Sequence, residues 1–253
     1  MRRSSLTILS LTIPTLLLLV PAVAGAATIV APNGFAAVEG NEGNSFPFNN
    51  FEGRYQQAYG ASEFVASPIS ITGIAFRTDT DPAAQNWTSE MSFSVHLSTS
   101  ANAVGSLDTT FANNVGADDV LVYTASVQLF GGSNAGGPGP NAFDLILTLD
   151  TPFTYDPSAG DLLMDVFLNT NTNLLPPGGF SYLDAVESTT GSFDVGLQRV
   201  WNSSDVNAAA GQTDLHGFGL VTQFTYTVVP EPGTALLLAI GLVALAARQR
   251  RAA

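Results

Sequence analysis

The chain has 253 residues and a formal net charge of −13, with two histidines, no cysteine and no lysine. Disulfides, thiolate catalysis and cysteine metal sites are thereby excluded, and two histidines are too few for a three-histidine zinc centre. Residues 27–229 keep only Arg54, Arg77 and Arg199 against twenty carboxylates, a net −17; so acidic a body repels nucleic acid and anionic membrane surfaces.

Residues 1–26 read as a signal peptide. Arg2 and Arg3 form a positive n-region, Leu6 to Val20 an apolar core, and Ala22-Val23-Ala24 and Ala24-Gly25-Ala26 two small-x-small cleavage sites. The protein is expected to be exported by general secretion, with the mature chain starting near Ala27.

Residues 27–229 are about 200 residues, enough for one domain with a sizeable core. Strands are expected over Ile69 to Arg77, Met91 to Ser98, Val120 to Phe130, Phe143 to Asp150, Leu162 to Asn169, Phe180 to Val186, Phe193 to Val200 and Phe218 to Val228. Met91 to Ser98 is the clearest: Phe93, Val95 and Leu97 alternate with Ser92, Ser94, His96 and Ser98. Gly131 to Pro140, Thr151-Pro152, Asp156-Pro157 and Leu175 to Gly179 read as breakers, and Leu107 to Asn114 as at most one helical turn. Many short strands without βαβ spacing predict an all-β, antiparallel sandwich of jelly-roll type. A β-barrel or an added small helix is the alternative.

The body offers candidates for binding rather than a catalytic constellation. Asp79 and Asp81, and Asp118 with Asp119, place paired carboxylates in turns where calcium could take oxygen ligands; no other cofactor is expected. Trp87, and Trp201 beside Arg199 and Asn202, are the candidates for stacking on sugar rings, followed by Tyr55, Tyr59 and Tyr182. His96 sits among serines and reads as a surface residue, while His216 is two residues from Asp214. There is no Gly-x-Ser-x-Gly elbow, and nothing in the sequence pairs Glu63, Glu90 or Glu187 as two glycosidase carboxylates. No enzymatic activity is expected.

The C-terminus is the most specific feature. Pro230-Glu231-Pro232 precedes an apolar run from Gly233 to Ala247, then Arg248, Arg250 and Arg251. About 15 residues span only ~22 Å as a helix, less than the ~30 Å hydrocarbon core. Leu236, Leu237, Leu238, Ile240, Leu242, Val243 and Leu245 cover every face, unlike the single stripe of a helix packed on a domain. An ordinary membrane anchor is the other reading.

The triplet, short apolar helix and arginine cluster resemble the PEP-CTERM sorting signal. Arg54 to Tyr59, Ile71 to Arg77, Pro152 to Pro157 and Gly160 to Val166 are also similar to the globular parts of PEP-CTERM surface proteins. The resemblance implies three segments: residues 1–26 as signal peptide, 27–229 as sandwich and 230–253 as sorting tail. It implies general secretion machinery and an exosortase as partners, a transient stay of the C-terminal helix in the inner membrane, and a final place at the cell surface or in the extracellular matrix. The functional expectation is a non-enzymatic, exopolysaccharide-associated structural or glycan-binding component. A polysaccharide-active hydrolase or lyase on the same scaffold is the alternative.

Overall fold

The computed structural model describes residues 25–48, 52–80, 86–134, 139–173 and 182–229, with residues 239–243, 245, 248 and 249 of the tail. Thirteen strands follow in order: β1 Ala27–Ala31, β2 Glu42–Asn44, β3 Gly53–Tyr59, β4 Ile69–Phe76, β5 Trp87–Thr99, β6 Val120–Gly132 and β7 Leu145–Tyr155, then β8 Leu162–Asn173, β9 Leu183–Glu187, β10 Leu197–Asn202, β11 Gln212–Thr213, β12 Phe218–Leu220 and β13 Thr222–Val228. They form a four-stranded sheet (β1-β13-β4-β7), a six-stranded sheet (β11-β10-β3-β8-β5-β6) and a small one (β12-β9-β2). Each of these pairings is antiparallel.

The two large sheets pack face to face. Ile71, Ile74 and Phe224 of the first share one buried core with Tyr59, Phe93, Val95 and Met164 of the second. The rings of Tyr59 and Phe224 meet edge-on with centroids 5.1 Å apart, a favoured aromatic geometry. The alternation read from Met91 to Ser98 is the inner face of β5: Met91, Phe93, Val95 and Leu97 are each at most 1% exposed.

The outer face of the six-stranded sheet is covered as well over β3, β8 and β10. Leu107 and Phe111, the latter opening a 3-10 turn at Phe111–Asn113, pack on Ala58, Leu163 and Val200 in a second small core. β3 is therefore buried on both sides. This explains why its run of tyrosines, glutamines and alanine shows no polar alternation.

Several boundaries differ from expectation. Pro152 lies inside β7, not at its end. β7 is an edge strand with an irregular register: Phe153 stands opposite Ile71 and Thr148 opposite Gly73, leaving extra residues beside Thr72. An edge and a bulge are where a sheet tolerates a missing N–H. β6 runs through Gly131 to Gly132. Phe193 to Gly196 forms a turn with Gly196 at φ +69°, and β10 starts only at Leu197. Phe218 to Val228 is divided at Val221 between the small sheet and the four-stranded sheet.

The strands nearest the two chain ends are neighbours. Ala27 of β1 pairs with Tyr226 of β13, and Val228 of β13 with Ile69 of β4. The chain thus enters and leaves the sandwich at the same end. Among the described residues no helix is long and apolar enough to cross a membrane; residues 239–243 of the tail are helical.

Candidate functional site

β10 carries two of the sugar-binding candidates. Arg199 and Trp201 are two positions apart, so their side chains leave the same face of the strand. Arg199 is 8% exposed and held on two sides. Its Nε donates to Asp214 Oδ2 at 2.7 Å, and its Nη1 to Asn44 Oδ1 at 2.8 Å. The guanidinium lies 4.3 Å from the Trp201 ring centroid and 3.8 Å from that of Phe218. Arg199 is thus a structural clasp that stiffens one side of the tryptophan.

Trp201 is half-buried, with the Phe46 ring 6.2 Å away. Beside it, the loop from β10 to β11 opens a cleft of about 200 Å³ lined by Trp201, Asn202, Ser203, Ser204, Gly211 and Gln212. Asn202 shapes this loop: its Oδ1 accepts from the Ser204 and Asp205 amides, and its Nδ2 donates to the Ala210 carbonyl. Trp201 beside hydroxyl and amide groups, with no carboxylate in the lining, suits a neutral polyhydroxylated ligand. Gln212, Ser203 and Ser204 were missed as candidates; the turn-forming run Asn202 to Asp205 is the signal that marks the loop.

Tyr55 and Tyr59 are not available to a sugar. They are 1% and 0% exposed, and burial pushes both phenols well above their usual range. Tyr55 donates to Gln57 Oε1 at 2.6 Å, and Tyr59 shares a 2.8 Å hydrogen bond with Thr222. Trp87 belongs to β5, but its side chain lies outside the described residues.

The calcium candidates fall in two places. Asp79 follows β4 and lines a separate cleft of about 310 Å³ with Glu39, Glu42 and Thr80. Asp118 and Asp119 lie in the turn before β6, where Asp118 accepts from the Thr99 amide and hydroxyl and Asp119 meets His96 Nδ1 at 3.0 Å. Asp81 lies outside the described residues. Among the described residues no group of three carboxylate, histidine or cysteine side chains is placed to hold a metal.

The remaining titratable candidates are dispersed. Glu63 accepts from the Asn33 amide, and Glu90 is exposed on β5. Glu187 Oε1 meets His216 Nε2 at 2.5 Å, so His216 pairs with Glu187, while Asp214 is taken by Arg199. The other two arginines are clasps as well. Arg54 forks onto Asp165 between the Phe111 and Phe167 rings, and Arg77 pairs with buried Asp184 beneath Phe143.

An acidic all-β sandwich followed directly by a proline-flanked, apolar and arginine-tipped tail defines an exported protein with a C-terminal sorting signal. Residues 228–251 match the PEP-CTERM protein-sorting motif. The chain carries the PEP-CTERM signal and is thereby an exosortase-sorted, exported protein. No curated protein and no solved structure matches it. Of the motif residues, Arg248 is in a described helical position, while Pro230, Glu231, Pro232, Arg250 and Arg251 lie outside the described residues.

Proposed function

We propose that this exported protein is a non-enzymatic component of the cell surface or exopolysaccharide matrix, and that it associates with neutral glycan through the Trp201 cleft. The observation that carries this reading is the separation of the two kinds of group that a polysaccharide-cleaving site unites. The cleft that Trp201 lines has no carboxylate in its lining, and the cleft with Glu39, Glu42 and Asp79 has no aromatic side chain in its lining. A glycosidase needs two carboxylates within about 5 to 10 Å across a bound sugar. The body's −17 charge also opposes uptake of polyanionic polysaccharide.

The test is retention of the processed, secreted protein on the producing cell's own exopolysaccharide and on a panel of neutral and acidic glycans, with and without calcium. Saturable binding to neutral glycan, weakened in both Trp201→Ala and Gln212→Ala, is the expected result. Calcium dependence would assign ligand roles to the aspartate turns. Absence of retention under both conditions, or release of shortened glycan, would overturn the reading.

A further inference from the structure

Both membrane-directed segments leave the sandwich from one end, and both clefts lie toward the other. Ala27 opposite Tyr226 and Val228 opposite Ile69 put the start of β1 and the end of β13 side by side. The end of β7 is there too, since Tyr155 also pairs with Ile69, and the Val229 amide still donates to the Pro68 carbonyl. The fold therefore persists to the residue before Pro230. In the six-stranded sheet Tyr59, Leu162, Leu197 and Thr99 stand in line; the Tyr59 hydroxyl meets Thr222 and its ring meets Phe224, so at β3 this row faces the start and middle of β13, farther from the tether than Val228. β10 then runs away from it toward Trp201 and Asn202, and β4 runs away toward Phe76 and Asp79.

The connecting lengths leave little freedom. Only Pro230, Glu231 and Pro232 separate Val229 from the apolar run, at most ~12 Å fully extended. The headgroup layer on one side of a bilayer is itself about 5 to 8 Å thick. At the other terminus, six residues between Val20 and Ala27 span at most ~22 Å. We propose that, before its tail is processed, the folded sandwich stands on the outer leaflet of the inner membrane by the end holding Ala66, Pro68 and Ala159, with the Trp201 and Glu39–Asp79 clefts directed away from the bilayer. This rests on the tail being the membrane anchor. The contact is enforced by the tether and not by charge: the body's three arginines are all paired elsewhere, and this end carries Asp156 and Asp161.

The lack of cysteine makes the test direct. Exposed alanines at the tether end (Ala66→Cys, Ala159→Cys) and at the opposite end (Ala142→Cys, Ala209→Cys) are labelled singly with a fluorophore in the full chain. The chain is inserted in vesicles of phosphatidylethanolamine and phosphatidylglycerol bearing a headgroup nitroxide quencher. The labels at 66 and 159 are expected to be quenched about twofold or more over those at 142 and 209, given a body several strand-residues long at ~3.3 Å each. High salt should leave the contrast intact, and an insertion of about twelve Gly/Ser residues after Val229 should collapse it by adding roughly 20 Å of reach. Equal quenching at all four positions, or the reverse order, in a chain that floats with the vesicles would overturn the orientation alone. A chain that does not float with them would sink the anchor reading and the orientation with it.

Discussion

Arg77 and Asp184 form an ion pair with side chains 1% and 0% exposed, bridging 107 positions of sequence. Arg77 also donates to the Phe35 and Val38 carbonyls at 3.0 and 2.7 Å. One guanidinium thus ties the end of β4 to β9 and to the segment after β1. Removing it strands a buried carboxylate and two carbonyls, so Arg77→Leu should cost about 3 to 5 kcal/mol. Urea unfolding of the secreted protein at neutral pH measures this directly, and a loss below about 1 kcal/mol would contradict the role given to the pair.

The same pair sets a pH dependence. Burial pushes Asp184 up to about 7 against the pull of Arg77, with Glu39 adding to the rise. Its unfolded value is near 4, so between about pH 4 and 7 the folded state holds the extra proton and stability falls as pH rises, by a few kcal/mol at most. Below that range the sign reverses. Asp108 is held low by the Thr110 amide and Asp194 by the Ser188 hydroxyl, and their contributions are lost as pH drops through their folded values. The thermal midpoint should peak in mildly acidic buffer, and Asp184→Asn should flatten the alkaline side. A midpoint that climbs steadily from about pH 5 to 8 would refute this assignment.

Gly53 opens β3 where a Cβ would sit 2.0 Å from the Asn202 carbonyl oxygen. The obstacle is the backbone of the neighbouring strand and has no rotamer by which to escape. Gly53→Ala should therefore destabilise by about 2 kcal/mol or more and loosen the loop that shapes the Trp201 cleft. Chemical denaturation read alongside tryptophan fluorescence would reveal both effects; an unchanged midpoint would argue against the close approach.

Arg199→Lys keeps the charge but loses the fork onto Asp214 and Asn44 and the stacking on Trp201 and Phe218. A cost of about 1 to 3 kcal/mol is expected, with a shift in Trp201 emission, because an ammonium cannot reproduce a planar, stacked donor pair. A silent substitution would mean that the stacking does not hold the tryptophan in place.

The sorting signal makes its own prediction. Replacing Pro230, Glu231 and Pro232 with alanine should leave the chain uncleaved in the inner membrane fraction, seen as a larger species on a blot. Normal processing of that variant would refute the role of the triplet.

Legibility of the fold followed burial. β5 was visible because one face is apolar and the other is lined by serines, whereas β3, buried on both faces with Gln56 and Gln57 each 0% exposed, had no such contrast. Thr151-Pro152 reads as a stop because proline forbids a ladder bond, yet at an edge strand's bulge that bond is not needed. Trp201 could be picked out by residue type. Its clamp could not, since the contact of Arg199 with Phe218, and of Asp214 with Arg199, depends on which strands lie together. Tyr55 and Tyr59 fail as sugar platforms for the same reason: an amphipathic ring reads alike at a binding surface and in a core.

The clasping of every arginine in the sandwich has a practical consequence outside the cell. With no lysine in the chain, Arg54, Arg77 and Arg199 are the body's only sites for trypsin-like proteases, and each is held within a strand or at its edge beneath an aromatic ring. The folded body therefore offers such enzymes almost nothing to cut. Its side chains also give amine-directed reagents no lysine to modify, a durable chemistry for an exported protein.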